Sequence, residues 1–170
     1  YRHEKYDVDS RKPEVEYGDS IEGDLSRRDF TVNSMALELT TEKPEFIDPF
    51  NGLGDLAKKV LRTPVSAEQS FSDDPLRMMR AARFASQLDF TISDDVLAAM
   101  QAMAPRIEII SAERVRDEFT KLLLSSHPTK GITILVDSGL ASLVIPEIPK
   151  LRLEVDEHHH HKDVYEHSLT

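Results

Sequence analysis

The sequence predicts a mostly helical fold with a short α+β opening. Three observations carry that prediction. Short extended segments mixed with two short helical stretches mark the chain up to Arg62, helical periodicity runs from Ser66 to Ser138, and capping residues (Asp74, Ser93, Ser111) precede three of the helical stretches. Residues 1–18 read as extended chain, with alternation in Glu14-Val15-Glu16-Tyr17 and a turn near Arg11-Lys12-Pro13. A helix is expected from Asp24 or Arg28 to about Ala36, with Phe30, Met35 and Leu37 available as core. Short strands over 35–39 and 45–47 flank a Glu42-Lys43-Pro44 turn. Residues 54–59 read as a short helix and 60–62 as a closing strand. Helices are then expected over 66–70, 75–88, 93–103, 112–124 and 128–138. Thr91-Ile92-Ser93-Asp94 supplies a cap ahead of Val96, Leu97 and Met100, and Ser111 caps the helix carrying Val115, Phe119 and Leu122. Pro146, Pro149 and the polar stretch after them read as a linker.

The richest stretch is Phe71-Ser72-Asp73-Asp74-Pro75-Leu76-Arg77-Met78-Met79-Arg80-Ala81-Ala82-Arg83-Phe84. Asp74 reads as an N-cap, with Pro75 at the first helical position. Arginines three apart drift by about 60° around a helix axis, so Arg77, Arg80 and Arg83 share one broad face. Met79, Ala81, Phe84 and Leu88 can pack elsewhere on the helix. Three clustered guanidinium groups repel unless an anion or an acidic partner sits among them, and a nucleoside triphosphate is such a partner. Cytosine and adenine each present an exocyclic amine beside an unprotonated ring nitrogen. A carboxylate accepts from the amine while a guanidinium donates to the ring nitrogen, so one Asp–Arg pair such as Asp74 and Arg77 satisfies either base. Uracil and guanine present the reverse pattern and leave both side chains unpaired, at about 1–3 kcal/mol each. A plainer reading is a capped helix with Arg77 paired to Asp73 or Asp74 and the other arginines solvated.

A second cluster lies upstream, in Asp24-Leu25-Ser26-Arg27-Arg28-Asp29-Phe30-Thr31-Val32-Asn33-Ser34-Met35-Ala36. Arg28 suits a phosphate and Asp29 a ribose hydroxyl, while Thr31 and Asn33 can tie the turn to its own backbone. An ordinary surface ion-pair cluster is the competing reading.

The Arg-Arg-Asp-Phe-Thr-Val-Asn run resembles the nucleotide-binding motif of the class II tRNA nucleotidyltransferase (CCA-adding enzyme) and bacterial poly(A) polymerase family. The Asp-Asp-Pro-Leu-Arg run with its later arginines resembles that family's base-selecting motif. Between them, Ile47-Asp48-Pro49-Phe50-Asn51-Gly52-Leu53-Gly54-Asp55-Leu56, followed by Val60-Leu61-Arg62, resembles its glycine-containing flexible segment. Downstream, Glu113-Arg114-Val115-Arg116-Asp117-Glu118-Phe119 resembles its Glu-Arg-x-x-x-Glu helix. Departures are mild: Asp73 for the usual Glu, Ser34 for Ala, and Asn51 for Gly, the last conservative because Asn tolerates left-handed backbone.

The resemblance implies three units. Residues 1–62 would be the C-terminal part of an α+β nucleotidyltransferase head, 63–148 an all-α neck that binds nucleotide and RNA, and 149–170 a linker and the start of an HD-type helical domain. It implies nucleotide contacts at Arg28 (triphosphate), Asp29 (ribose), Asp74 and Arg77 (base), and Arg80 and Arg83. Asn33, Glu113, Arg114 and Glu118 would brace them. The implied activity is addition of CMP and AMP to tRNA 3′ ends from CTP and ATP, with Mg2+ as cofactor. Poly(A) synthesis, an inactive RNA-binding module and an HD phosphohydrolase are the alternatives.

The family's Asp-x-Asp metal pair and glycine-rich loop are expected upstream of this stretch. Asp7-Val8-Asp9 matches only the bare pattern and sits in the wrong segment, so no metal site is assigned here. A start on Tyr1 rather than Met fits an internal fragment or a disordered start. Glu157-His158-His159-His160-His161-Lys162 could be a purification scar or an adventitious metal binder, and the same region resembles the opening of an HD domain. His167 would then be a possible first ligand of an incomplete metal site.

The 170 residues contain no cysteine, no long apolar run and no signal-like start, which points to a cytoplasmic protein rather than a secreted or membrane one. With 31 acidic against 21 basic residues the net charge is −10. Local basic patches govern phosphate contact, so RNA binding is compatible with that charge, but this stretch alone should bind RNA weakly.

Overall fold

The computed structural model describes residues 2–5, 14–17, 20–40 and 42–150. The Asp7-Val8-Asp9 run, the Arg11-Lys12-Pro13 turn, the histidine run and His167 lie outside them. Strands β1 (Arg2–Lys5) and β2 (Glu14–Tyr17) pair antiparallel, with Arg2 opposite Tyr17 and Lys5 opposite Glu14.

Helix α1 (Ile21–Ser26) begins on Ser20, whose extended backbone lets its hydroxyl accept from Gly23 N at 3.1 Å. The expected helix to Ala36 is corrected here: α1 stops at Ser26, Phe30 is extended, and only Thr31–Asn33 form a 3₁₀ turn. The cause is local competition. Asp29 Oδ1 accepts from Phe30 N at 2.9 Å, and Thr31 N donates to Arg62 O at 2.8 Å, so these amides leave the helical ladder. Strands β3 (Ala36–Glu38) and β4 (Glu45–Ile47) then form the expected hairpin, antiparallel, with Ala36 opposite Ile47.

Helix α2 (Gly52–Lys58) starts two residues before the expected position because Asp48 reaches its first amides, accepting from Gly52 N at 2.6 Å and Leu53 N at 2.9 Å. Asn51 adopts the left-handed backbone (φ 57°) that its family neighbour glycine would favour. A Cβ on Gly52 would lie 2.2 Å from Thr31 O, so glycine is what lets α2 close on the 3₁₀ turn. Thr31 completes that join by donating Oγ1 to buried Asp55 Oδ2 at 2.8 Å. Strand β5 (Val60–Leu61) pairs parallel with β6 (Thr91–Ile92), a pairing the sequence pattern missed because it read Thr91-Ile92 only as part of a cap.

The helical part follows as α3 (Ala67–Asp73), α4 (Leu76–Leu88), α5 (Asp94–Met103), a 3₁₀ stretch (Ala104–Ile109), α6 (Ala112–Leu123), α7 (Pro128–Asp137), α8 (Leu140–Val144) and α9 (Glu147–Lys150). Ser66 and Ser111 cap α3 and α6 through their hydroxyls, whereas Ser93 holds the N-cap position of α5 without a side-chain bond. The linker expected from Pro146 is in part helical: α9 passes through Pro149, and Ile148 packs against the core.

Helix α4 is the hub, packing on α3, α6 and α7. Its Met78, Met79, Ala81, Ala82 and Ala85 are fully buried, and the alanines admit neighbouring backbones closely. A Cβ on Gly131 of α7 would sit 2.2 Å from Ser86 Oγ, so this crossing depends on glycine. Leu88, expected to pack, is instead 43% exposed at the helix end. Phe30 meets Phe84 of α4 edge-on, with centroids 5.8 Å apart, and so seats the 27–33 segment against the helices.

Candidate functional site

Asp74 is extended (φ −145°, ψ 101°) between α3 and α4, and it ends one helix while starting the other. Its N–H donates to Ser70 O at 3.1 Å, its Oδ1 accepts from Leu76 N at 3.1 Å, and its carbonyl accepts from Arg77 N at 3.1 Å. The capping role read from sequence is therefore present. Asp74 Oδ2 takes a further bond from Arg114 Nη2 at 3.3 Å, which ties α6 to the start of α4.

Arg77 does not pair with Asp73 or Asp74. Its Nη1 donates to Ser70 Oγ at 2.8 Å and lies 3.5 Å from Ser70 O, and its Nη2 donates to the carbonyl of Arg27. Asp73 is held by Gln69 instead, at 2.7 Å. Burial pulls the Arg77 pKa below its usual value, against the nearby charges of Asp74, Asp29 and Asp73, which raise it. The guanidinium stays charged at neutral pH in spite of that pull.

The acidic partners demanded by the arginine row come from within the protein. Arg80 donates Nε and Nη2 to Asp29 Oδ2, the former at 3.0 Å. Arg83 donates Nε to Glu118 Oε2 and Nη1 to Gln87 Oε1, each at 2.6 Å. Glu118 is buried and also takes Lys121 at 3.2 Å, with Arg80 Nη1 at 3.9 Å. Arg83 is itself buried, beneath the row rather than on its open side.

Asp29 is buried, and its Oδ1 accepts from Phe30 N at 2.9 Å and Asn33 Nδ2 at 3.1 Å. With the two bonds from Arg80, all four acceptor positions of this carboxylate are taken. Burial acts to raise its pKa, but the Arg80 charge and the hydrogen bonds from Arg80, Asn33 and Phe30 outweigh it and hold the carboxyl below its ordinary value. Arg28 is more open, donating to Asp24 Oδ2 at 3.2 Å and Asn33 O at 3.3 Å.

These pieces surround an open groove of about 490 Å³ lined by Arg27, Arg28, Asp29, Asn33, Asp74, Arg77 and Arg80. That volume lies within the range of small-molecule sites, about 300–1,000 Å³. Both sequence clusters thus converge on one face. Arg83, Glu113, Arg114 and Glu118 are outside the lining: Arg83, Arg114 and Glu118 brace it from behind, and Glu113 is exposed in the first turn of α6. Sequence reading passed over Arg27 and Ser70. The doubled arginine flagged the first, and the spacing of Ser70 one turn before Asp74 could have flagged the second.

Among the described residues no group of three or more His, Cys, Asp or Glu could hold a metal ion. Asp29, Asp74 and Glu118 are each engaged by arginines, so the groove does not fit a Mg2+ site.

Residues 1–62 match the poly(A) polymerase head domain, and residues 89–151 match the probable RNA and SrmB-binding site of polymerase A. Together with the groove, these define a polymerase-type head segment joined to a helical partner. The chain belongs to the class II CCA-adding enzyme and poly(A) polymerase family. The CCA-adding enzyme of Streptococcus sanguinis is 41% identical over 92% of this chain and 38% of its own length. The Bacillus stearothermophilus CCA-adding enzyme, solved in complex with CTP, superposes with a TM-score of 0.69 at 40% identity, over 74% of this chain and 31% of that one. The Thermotoga maritima CCA-adding enzyme complexed with tRNA gives 0.69 at 32% identity, over 75% and 32%. The chain spans well under half the length of the curated relatives it matches.

Proposed function

We propose that this chain is the base-selecting part of an RNA 3′-nucleotidyltransferase that adds CMP and AMP to tRNA ends from CTP and ATP. One observation carries the reading. Asp74 and Arg77 are oriented by the fold yet retain hydrogen-bonding capacity beside the groove, whereas Asp29 is saturated. Each Asp74 oxygen has one protein donor among the described residues, which leaves an acceptor position on each. Arg77 has N–H groups beyond those given to Ser70 and Arg27. That spare capacity is the acceptor-and-donor pair that an amine beside a bare ring nitrogen requires, and it serves cytosine and adenine alike.

In this reading Arg28, the more open arginine, takes the triphosphate. The ribose hydroxyl reaches Asp29 only by displacing one of the two hydrogens from Arg80, which frees that guanidinium for a phosphate. Arg83 and Glu118 form the buried strut that keeps Arg80 and α6 in place, with Asn33 and Arg114 as further supports. The division into a head segment (1–62), a helical neck (63–148) and the opening of an HD-type domain (149–170), with His167 at its start, belongs to the same proposal. So does a cytoplasmic location; among the described residues no helix is long and apolar enough to cross a membrane. Mg2+ would serve the whole enzyme through residues other than these. The names of the relatives favour CCA addition over the poly(A) alternative.

The test uses the full-length protein, a tRNA lacking its CCA end, magnesium, and each nucleoside triphosphate alone and mixed. Addition of C, C and A followed by arrest is expected. A long adenylate tail moves the assignment to poly(A) synthesis, and no incorporation on any primer overturns it.

A further inference from the structure

Ser70 lies in none of the motifs that mark this family in the sequence, yet it touches both members of the proposed reading pair. It sits on α3, fully buried, one turn before Asp74. Its carbonyl accepts from Asp74 N at 3.1 Å, and its hydroxyl oxygen accepts from Arg77 Nη1 at 2.8 Å. The Arg27 carbonyl receives the other arm of the fork at Nη2. A guanidinium is planar by itself, but on a long flexible stem it needs such fixed acceptors to hold that plane in one orientation. The acceptors are neutral, whereas Arg80 and Arg83 are held by carboxylates. Neutral acceptors fix the direction of Arg77 without binding it as tightly as an ion pair, which leaves its charge available to a ligand.

We propose that Ser70 is a positioning residue for nucleotide selection: its hydroxyl fixes the plane of the Arg77 guanidinium against the groove. It touches neither substrate nor reacting atoms. The inference rests on the base-reading role proposed for Asp74 and Arg77, and it adds a residue outside them on which selectivity depends. Removing the hydroxyl leaves the charge of Arg77 in the groove but lets its fork turn. Discrimination, which depends on geometry, should therefore fall more than turnover of the correct nucleotide.

The experiment uses the full-length protein as wild type, Ser70→Ala and Ser86→Ala. Ser86 is a second fully buried serine whose hydroxyl donates to His127 O, both outside the groove lining, and it controls for loss of a buried hydroxyl. Two quantities are read: the ratio of kcat/KM for CTP over UTP and for ATP over GTP, and the Arg77 Nη proton signals in protein labelled with 15N-arginine. The expected result is a fall of about tenfold in both ratios for Ser70→Ala, in line with loss of a hydrogen bond to a charged group. The Arg77 Nη signals, resolved in the wild type, merge, and Ser86→Ala changes neither quantity. Ratios that stay within twofold, or a uniform loss for all four nucleotides with the Nη signals still resolved, overturn the assignment of Ser70 alone. A wild type that shows no preference for CTP and ATP overturns the base-reading role beneath it, whatever Ser70→Ala does.

Discussion

The groove side chains separate by how much bonding capacity the fold leaves them. Asp29 receives four hydrogen bonds and Arg83 lies buried between Glu118 and Gln87, so both are fixed parts of the frame. Asp74 and Arg77 are braced on one side and open on the other. Substituting Arg77→Ala in the full-length protein should therefore lower the preference for CTP and ATP at least tenfold, as loss of one charged hydrogen bond does. Its affinity for tRNA should change less than about threefold, because in the proposed reading Arg77 serves the nucleotide base and makes no phosphate contact with the tRNA. Steady-state kinetics with each nucleotide and filter binding of the tRNA measure the two effects. An unchanged nucleotide preference would remove Arg77 from the reading pair.

Among the elements, α4 depends on its crossing with α7, where a Cβ at position 131 would lie 2.2 Å from Ser86 Oγ and 2.8 Å from the Leu122 side chain. Gly131→Ala should cost about 1–3 kcal/mol in a denaturant titration, the usual penalty of overpacking. Adding Ser86→Ala should recover part of it by removing the nearer atom. At the end of α2 the opposite change helps. Lys59 holds φ 56° as the helix cap, a conformation that costs a non-glycine residue about 1–2 kcal/mol. Lys59→Gly should raise the unfolding free energy by the part of that strain not offset by glycine's larger unfolded-state entropy, roughly 0.5–1 kcal/mol, read from a denaturant titration. These two positions also show where sequence pattern stopped. The helices α4 to α7 were legible within a residue or so because their periodicity and start signals are local, whereas α3 runs three residues past the expected end at Ser70. The 27–33 turn was misread as helix because its shape is set by the adjacent Asp29 carboxylate, which takes the Phe30 amide, together with Arg62 O and Asp55, partners that no window around Phe30 contains. The groove's members other than Arg27 were legible by residue type, but the partition of arginines between Asp29, Glu118 and Ser70 was not. That partition depends on which acceptors folding brings to each guanidinium, and Asp29 lies 51 residues from Arg80 in the chain.

Across the whole molecule, two joins hold the head-matching segment to the helices at the groove: Arg77 on the Arg27 carbonyl and Arg80 on Asp29. The second carries charge, and so it makes cohesion of the two parts depend on pH. The Asp29 carboxyl is held below its ordinary value of 3.8, so folding favours its ionised form. A group depressed in this way contributes stability that is fully present above the unfolded-state pKa and is lost as pH falls through the folded one. At neutral pH Asp29→Asn should therefore destabilise the protein by about 1.5–3 kcal/mol, the worth of hydrogen bonds to a charged acceptor. Below the ordinary carboxyl range that difference should shrink, because the unfolded carboxyl takes up its proton first, and it should vanish once the folded carboxyl is protonated too and gives Arg80 no more than the amide does. Denaturant midpoints of the two proteins, measured from pH 7 downward, should converge. Hydrogen exchange at the 27–33 amides should rise in Asp29→Asn ahead of exchange in α4, since that turn then rests on the α4 side only on Phe30 packed against Phe84 and Arg77 on the Arg27 carbonyl. Midpoints that stay parallel across the acid range would show that Asp29 and Arg80 are neighbours without being a join.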